Sequence, residues 1–506
     1  MSDQVLILNG ENLTVEEVDR VARQGVKIEI ALEAMNRLEK ARELVFELAD
    51  KGIPIYGFTV GVGWNKDKEV FDEYFEEYNR NLIYAHCVAV GPEASEEDVR
   101  AILLARLNTL LVGRTGIQPA VAYMYKEFLN HGIHPVIPER GSVGQADISC
   151  LSHIGLAIMG EGEVFYGGER MDTSKAMEMA GIKPVVLGPK DGLAIVSSSA
   201  LSAGKAALVL NDIKELIDMA NLIYAMSLEG LDGNVTPLDP IVNEIRKMPG
   251  QIYCAESIRK YLKGSYLNSK DITKSLQDPL SYRDACAVHG SVRDALEYVR
   301  KYLELQLNTS DDNPCVVIEE RKIISCQNFE VTTWAVGFEM LAIALSHLSK
   351  MSCHRTVKLS NPSFSGLSRF LSPNEGEVQA YQTIQKPFTS LDTEIRHLAN
   401  PSSMDFFSVA GEIEDHANNT PHVVRRVAKI VDNLYYVLGI ELLHAAQAID
   451  LRKPDSLGKA TKAVFDEFRN EITFLEKDRC LTIDIKKAYD IIKSGNLLKA
   501  AREALA

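Results

Sequence analysis

Three long stretches of the sequence repeat apolar residues at steps of three and four, and their length restricts the folds open to the chain. They cover residues 290–308, 329–359 and 421–453, and Pro454 stops the last one. This spacing puts the apolar side chains on one face of an α-helix. A helix of about 30 residues is about 45 Å long and packs stably only beside other long helices. The sequence therefore predicts an all-α fold whose core is a bundle of long helices.

Capping signals and a few strand-like segments complete the predicted secondary structure. Thr14 and Glu17 form a capping-box pattern before an amphipathic run that reaches Gly52 with a break near Gly25, and Ser95 opens another run. Short strands are expected over residues 5–8, 164–166, 315–318 and 322–325. Such short segments do not support an α/β sheet.

The charge balance limits the partners of the chain. Its 506 residues include 55 Lys and Arg against 70 Asp and Glu, a formal net charge of −15. Nucleic acid and anionic lipid both need basic surface, so we expect neither as a partner. We find no apolar stretch near the ~18 to 20 residues that cross a bilayer and no basic leader, so we expect a cytoplasmic protein without membrane contacts. Its partners should be small molecules or further copies of itself.

The cysteines and the linker content point to an intracellular chain without separate modules. Eight cysteines are widely spaced with no C-x-x-C pair, which predicts reduced thiols and no metal site. The chain contains no Pro/Gly/Ser-rich linker, low-complexity run or short-period repeat. We therefore expect residues 1–506 to form a single unit.

Seven short motifs in a fixed order carry most of the functional information. They are Tyr56-Gly57-Phe58-Thr59-Val60-Gly61-Val62-Gly63, Asn79-x-Asn81-Leu82-x-x-Ala85-His86, Pro138-Glu139-Arg140-Gly141-Ser142-Val143-Gly144, Gln277-Asp278-Pro279-x-Ser281-x-Arg283, Asp312-Asn313-Pro314, Asn328-Phe329 and Glu414-Asp415-His416. This series closely resembles the histidine and phenylalanine ammonia-lyase family, from about residue 5 to the C-terminus.

The resemblance implies a fold, an assembly and a reaction. The fold is all-helical, as in the wider fumarase and aspartase superfamily, with an active-site region over about residues 1–200 and a long-helix bundle over about 201–506. The assembly is a homotetramer in which residues from different subunits meet in each active site. The reaction eliminates an amine from the α carbon of an aromatic amino acid and removes a proton from the β carbon.

Family roles transfer to residues that are present in this chain. The resemblance implies that Tyr56 removes the β proton and that Arg283 binds the substrate carboxylate with help from Asn313. It also implies that His86 and Glu414 contact an imidazole ring, as in the histidine-specific branch. We place Tyr56, Arg283 and Glu414 in the catalytic group and His86 and Asn313 in the substrate-binding group.

The departures from the family are concentrated around its prosthetic group. Family lyases carry an Ala-Ser-Gly triplet that cyclises into a methylidene-imidazolone electrophile, which attacks the substrate amine. Residues 144–148 read Gly-Gln-Ala-Asp-Ile, one residue shorter and without a serine, so the group cannot form by that route and we expect no cofactor. Ser197, Leu280 and Glu330 stand where the family has asparagine, tyrosine and histidine. These departures fit an active site rebuilt without the electrophile. Random sequence drift in an inactive copy could produce the same departures.

The missing electrophile points to a particular kind of substrate. An ordinary α-ammonium loses a proton to any base strong enough to take the β proton, so it needs activation before it can leave. A quaternary trimethylammonium has no such proton and departs as neutral trimethylamine. With His86 and Glu414 indicating an imidazole ring, we expect a histidine betaine as substrate, ergothioneine above all, converted to thiourocanate.

Further residues complete the predicted substrate site. A quaternary cation favours aromatic faces, which Phe58, Phe329 and Tyr282 could supply. Each is also a reasonable core residue, and for Phe58 core packing is an equally good interpretation. Ser197 replaces a family site residue. Lys386 could stabilise negative charge spreading into a thioimidazole, or it could be a surface lysine at a helix kink.

Two alternatives to the betaine lyase remain open. The first is an ammonia-lyase or aminomutase that builds an electrophile from other atoms, which the missing serine disfavours. The second is a non-catalytic homologue that serves as a binding or structural subunit. The intact set of Tyr56, His86, Arg283, Asn313 and Glu414 speaks against the second, because stability alone would not require these residues together.

The absence of a cyclised group is directly testable. We expect the intact mass of the purified chain to equal the mass of its sequence, apart from terminal processing, because residues 144–148 lack the serine and the glycine after it. Intact-protein mass spectrometry measures this. A loss of two waters localised to a peptide containing Gln145 would contradict the prediction.

Overall fold

The computed structural model consists mainly of α-helices, and it describes residues 5–70, 74–269 and 275–506. The helices are α1 (Val15–Gln24), α2 (Leu32–Asp50), α3 (Phe75–His86), α4 (Glu96–Leu111), α5 (Pro119–His131), α6 (Ile148–Ile158), α7 (Thr173–Ala180), α8 (Asp191–Val196), α9 (Ala200–Leu231), α10 (Pro240–Arg246), α11 (Pro249–Tyr261), α12 (Leu280–Arg283), α13 (Ala285–Leu307), α14 (Thr332–Leu359), α15 (Pro362–Ser365), α16 (Gln385–Leu398), α17 (Thr420–Arg452), α18 (Lys459–Glu471), α19 (Leu481–Lys493) and α20 (Asn496–Leu505).

The strands are short and pair in small groups. They are β1 (Leu6–Leu8), β2 (Ile28–Ile30), β3 (Val90–Glu93), β4 (Ile133–Pro135), β5 (Pro138–Arg140), β6 (Glu163–Tyr166), β7 (Glu169–Asp172), β8 (Cys315–Val317) and β9 (Lys322–Ile324). Strands β1 and β2 pair in parallel, whereas β3 with β5, β4 with β6 and β7, and β8 with β9 pair antiparallel. The four predicted strand segments are confirmed.

The predicted helix starts are also confirmed. The Thr14 hydroxyl accepts a hydrogen bond from the Glu17 amide at 3.2 Å, and the Glu17 carboxylate accepts one from the Thr14 amide at 3.0 Å. Helix α1 then ends at Gly25, whose φ of 67° is left-handed and favours glycine. The Ser95 hydroxyl caps α4 by accepting from the Asp98 amide.

The three long amphipathic runs form α13, α14 and α17, as predicted. A further helix of 32 residues, α9, was not predicted. Most of α9 is buried, so it lacks the polar face whose alternation with apolar positions makes a helix visible in sequence.

The expectation that no apolar stretch approaches bilayer length is wrong for the segment that runs through α8 and α9. Within Asp191–Leu231, an 18-residue window has a mean hydropathy of 1.6, which satisfies a membrane-span criterion by length and composition. That window is 94% buried inside the protein, as expected of a core helix. The sequence did not reveal this stretch because polar residues such as Asn211, Asp212 and Lys214 interrupt the apolar ones along the segment.

Contacts group the chain into two compact units, each made of three separated segments. The first unit contains Met1–Asn211, Val299–Phe338 and Pro401–Arg425, and the second contains Asp212–Tyr298, Glu339–Asn400 and Arg426–Ala506. The expected single unit with a regional boundary near residue 200 stays a prediction.

The core of the second unit shows how the long helices pack. Arg355 of α14 and Glu441 of α17 are fully buried and joined by two hydrogen bonds of 2.5 and 2.9 Å. Asn221 of α9 contacts the ring of His289 of α13 at 2.9 Å. The Arg355 guanidinium also lies 5.4 Å from the ring centroid of Tyr224 on α9. Together these contacts link α9, α13, α14 and α17 into the predicted bundle, because buried polar groups require fixed partners.

In the first unit, Asp147 joins the start of α6 to the start of α9. Its buried carboxylate accepts hydrogen bonds from the Ser142 hydroxyl at 2.7 Å and from the Ser202 amide at 2.9 Å. Burial raises the pKa of Asp147 to about 6 against these hydrogen bonds, which favour the ionised form. The carboxylate therefore carries a desolvation cost at neutral pH.

This raised pKa predicts a specific pH dependence of stability. The folded chain holds the Asp147 proton to about pH 6, whereas the unfolded chain releases it near 3.8, so this group's contribution to stability falls as pH rises between those values. Asp147→Asn removes the titration. Relative to that variant, the parent should lose about 2 kcal/mol of stability between pH 4 and 7, measured from urea midpoints and slopes.

The exposed Asp455→Asn variant serves as control for the loss of one negative charge. A parent-to-Asp147→Asn difference that stays constant from pH 4 to 7 would mean that Asp147 does not titrate in this range.

Candidate active site

A cavity of about 350 Å³ in the first unit gathers five of the predicted site residues. They are Tyr56, Ser197, Asn313, Phe329 and Glu414. Another part of the wall comes from residues 144–148, the segment that departs from the family triplet. Its lining residues are Gln145, Ala146 and Ile148. Segments far apart in the chain therefore bring five of the nine predicted site residues together in one cavity.

Tyr56 lies in a tight turn that fixes its phenol. The Ile55 amide donates to the Thr59 hydroxyl at 2.8 Å, and the Gly63 amide donates to the Tyr56 hydroxyl oxygen at 2.6 Å. Burial raises the pKa of Tyr56, and the negative charges of Glu414 and Asp312 raise it further, whereas the Gly63 amide favours the phenolate. The chain by itself therefore keeps this phenol protonated.

Asn313 is held by the residue before it and by Cys326, which follows β9 in the chain. Its backbone amide donates to the Asp312 carboxylate at 2.9 Å and points to the Ser197 hydroxyl at 3.4 Å. Its side-chain oxygen accepts from the Cys326 amide at 2.9 Å. That contact fixes which end of the side-chain amide is oxygen, so its NH₂ group is the end available for a carboxylate.

The segment that replaces the family triplet has an unusual backbone. Gly144 has a φ of 86°, and a Cβ added there would lie 2.1 Å from the Asn418 side-chain oxygen, so the position requires glycine. Ala146 has a left-handed φ of 60°, which is uncommon for a residue with a Cβ. The two positions place the Gln145 side chain between them in the cavity wall.

Glu330, noted in the sequence only as a departure, is the centre of a hydrogen-bond network beside the cavity. One carboxylate oxygen accepts a hydrogen bond from the side-chain NH₂ group of Gln145 at 2.6 Å and lies 3.2 Å from His416 Nε2. The other accepts from the Thr332 amide at 2.6 Å, the Thr332 hydroxyl at 2.5 Å and the Asn418 side chain at 2.9 Å.

The sequence did not identify Gln145, His416 or Asn418 as partners of Glu330. The Glu414-Asp415-His416 motif was the available signal, since His416 lies in it and Asn418 follows it closely. The contacts themselves are tertiary and leave no local pattern.

Arg283 and Tyr282 belong to the second unit. Arg283 lines a cavity of about 820 Å³ with Lys358 and Phe364, and its guanidinium donates to the Gln277 side chain at 2.6 Å. Tyr282 is buried, with its hydroxyl 2.9 Å from the Ser227 hydroxyl. It therefore packs in the core of that unit and does not offer its ring face to a cavity, contrary to the expectation that it binds substrate.

Three other candidates lie elsewhere. His86 ends α3, where its Nδ1 lies 2.6 Å from the Leu82 carbonyl and leaves Nε2 free for a ligand, but His86 is absent from the described wall of the first-unit cavity. Phe58 packs edge-on against Phe46 and Phe75 in the core, which contradicts a direct role in binding. Lys386 is exposed in the first turn of α16, so it marks a helix start and not a kink.

The described side chains also bear on metal binding. Within residues 5–70, 74–269 and 275–506, no group of three or more His, Cys, Asp or Glu side chains is arranged to hold a metal ion.

Comparisons with known proteins agree with the fold and the motif order. A sequence profile of the family described as aromatic amino acid lyase matches residues 13–470. The histidine ammonia-lyase of Stigmatella aurantiaca is 38% identical over 506 residues, covering 100% of this chain and 99% of that protein. The histidine ammonia-lyase of Treponema denticola is 37% identical over 497 residues, covering 98% of each.

Solved structures extend this similarity. The ergothionase of Treponema denticola, in complex with desmethyl-ergothioneine sulfonic acid, has a TM-score of 0.95 and 50% identity, covering 98% of this chain and 100% of that one. The tyrosine aminomutase of Streptomyces globisporus has a TM-score of 0.94 and 31% identity, covering 99% of both chains. The predicted all-α fold is thereby confirmed, and the chain is a carbon–nitrogen lyase that belongs to the aromatic amino acid lyase family.

Proposed function

We propose that this lyase eliminates trimethylamine from ergothioneine to give thiourocanate, without a methylidene-imidazolone group. One observation carries the proposal: the cavity retains Tyr56, Asn313 and Glu414 while its 144–148 wall contains no serine. The retained groups suit proton removal and substrate binding, and only the means of activating an ordinary amine is missing. The 50% identity to an ergothionase supports the same substrate.

The reaction balances without an external co-reactant. The Tyr56 phenolate takes the β proton, and the electrons of that C–H bond form the Cα=Cβ double bond. The Cα–N bond breaks, and its electron pair leaves with the nitrogen as neutral trimethylamine. The phenol then returns its proton to solvent, so the net products are the unsaturated acid, trimethylamine and one proton.

The substrate supplies the positive charge that lowers the pKa of Tyr56. Burial and nearby carboxylates raise the pKa of Tyr56, so the phenolate needs a positive charge beside it. The bound trimethylammonium is such a charge, and it also acidifies the carbon chain that the phenolate attacks. Activity should therefore increase with pH as the phenolate fraction rises.

We propose that the substrate carboxylate and ring are held by groups from more than one subunit. Arg283 would reach the cavity of another copy in a homotetramer, where Asn313 shares the carboxylate, and Glu414 and His86 contact the ring. Lys386 would stabilise charge on the thioimidazole in the same assembly. Exposed apolar side chains on α14, at Val336, Met340 and Ile343, fit self-association. We also propose a cytoplasmic location, with small molecules as the other partners.

A substrate panel tests the function. Trimethylamine and ammonia release should be measured from ergothioneine, histidine betaine, histidine and tyrosine. We expect trimethylamine from ergothioneine at the highest kcat/KM. Ammonia from histidine would instead favour the alternative suggested by the similar histidine ammonia-lyases, and turnover of no panel substrate would favour a non-catalytic homologue.

Tyr56→Phe tests the base. It keeps the ring but removes the oxygen that accepts the proton, so kcat for trimethylamine release should fall by about 10² to 10⁴-fold while KM changes far less. Tyr123→Phe, at an exposed tyrosine of α5, is the matched control. A folded Tyr56→Phe protein that keeps more than about a tenth of parental kcat would move the base role elsewhere.

Arg283→Lys tests the carboxylate clamp. A point ammonium cannot reproduce a planar, bidentate guanidinium, so the change should cost about 2 to 3 kcal/mol, or roughly 30-fold or more in kcat/KM. Arg246→Lys, at an exposed arginine of α10, is the control. Full kcat/KM on every panel substrate would exclude Arg283 as the clamp.

A further inference from the structure

The Glu330 carboxylate is saturated with hydrogen bonds. Its two oxygens accept four hydrogen bonds, from Gln145, Thr332 and Asn418, and one oxygen also lies 3.2 Å from His416 Nε2. A carboxylate offers about four lone-pair sites, so these donors leave no acceptor for a further N–H group. Glu330 nevertheless keeps its negative charge beside the cavity that Gln145 and His416 line.

Its ionisation is favoured by the same contacts. Burial by itself would raise the pKa of Glu330, but hydrogen bonds from Thr332, Gln145 and Asn418 outweigh it and hold that pKa below its usual value. Glu330 is thus poorly suited to accept a proton in competition with Tyr56.

Two departures from the family meet at this point. Gln145 belongs to the segment that replaces the Ala-Ser-Gly triplet, and Glu330 stands where the resemblance leads one to expect histidine. They are 185 residues apart in sequence, yet their side chains are joined by a hydrogen bond of 2.6 Å. Independent drift has no physical reason to place a donor and an acceptor of two altered positions in contact.

We propose that the Gln145–Glu330–His416 cluster is the specificity element that selects a quaternary ammonium over a protonated amine. This proposal rests on the proposed function, which requires a quaternary ammonium at the α carbon of the substrate. Glu330 is a positioning residue in this scheme, since Gln145 and His416 stand in the cavity wall and Glu330 acts through them and through its charge.

The selectivity follows from the needs of the two cations. A primary ammonium carries three N–H donors, and burying them without acceptors is costly. A trimethylammonium has no N–H and requires only negative potential with apolar or aromatic contact. The wall beside Glu330 supplies both, because the saturated carboxylate lies behind Gln145 while Ala146, Ile148 and Phe329 line the same cavity. Two further carboxylates line this cavity: the proposed function assigns Glu414 to the substrate ring, and Asp415 adds to the negative potential.

Simple cations test the cluster independently of the substrate ring. Binding of tetramethylammonium and methylammonium to the full-length protein should be measured by NMR titration of their methyl proton signals. We expect the parent to bind tetramethylammonium more tightly than methylammonium. Glu330→Gln should weaken tetramethylammonium at least 10-fold, whereas Glu320→Gln, which removes an exposed charge, should leave it unchanged. Unchanged binding in folded Glu330→Gln would overturn the proposal.

Gln145→Met provides a second test, in which the site should become more accepting of a cation that carries N–H groups. It keeps side-chain length but removes the donor, which frees an acceptor site on Glu330 for an N–H group. The preference for tetramethylammonium over methylammonium should shrink at least several-fold. A preference equal to the parent's would overturn the proposal, and this variant decides the matter if Glu330→Gln does not fold.

A kinetic readout separates selection from folding. With ergothioneine, Gln145→Met should raise KM more than it lowers kcat, and Glu330→Asp should recover part of what Glu330→Gln loses. If the parent binds tetramethylammonium through Glu330 but turns over no betaine, the proposed function fails and the cluster stands. If ergothioneine turns over at parental kcat/KM in both variants, the cluster fails and the function stands.

Discussion

Two consecutive buried aspartates hold the cavity together. Asp311 pairs with Arg106 at 3.0 Å and Asp312 pairs with Lys190 at 3.1 Å, and all four side chains are essentially inaccessible to solvent. Removing one partner of such a pair leaves a buried charge and costs about 3–5 kcal/mol. Because neither aspartate can move without losing its cation, Asn313, which follows them, is fixed in the chain.

Asp311 also positions the part of the cavity wall that contains Ser197, next to Asn313. Asp311 also accepts from the Ser198 hydroxyl at 2.8 Å and from the Ser199 amide at 3.0 Å, so Ser197 is positioned from its neighbours. Ser199 in turn donates to the carbonyl of Phe329 at 3.2 Å. Buried polar residues behind the cavity thus determine where Ser197, Asn313 and Phe329 lie.

The sequence predicted those parts of the molecule that depend on local pattern. The Thr14 cap and the runs that became α13, α14 and α17 were readable because capping and helical periodicity are local. Helix α9 was not readable, since burial on nearly all sides removes the periodicity. The contact of Gln145 with Glu330 joins positions 185 residues apart, so it depends on the tertiary fold, although the two departures were visible. Tyr56 shows a similar limit: its residue type was readable, but the raised pKa comes from burial and from carboxylates brought near it by folding.

The packing around Gly144 has a consequence for how such a site could change. The backbone there approaches Asn418 too closely for any other residue, and the neighbouring Gln145 is bound to Glu330. Introducing a serine at position 145 would remove the donor to Glu330 and would still leave the segment one residue shorter than the family triplet. Under the proposed function, no point mutation therefore converts this site into one that carries the family triplet: insertion of a residue, loss of the Gln145 side-chain amide and repacking against Asn418 must occur together. A site with the family triplet and a site like this one differ in backbone length, so no series of single substitutions connects the two.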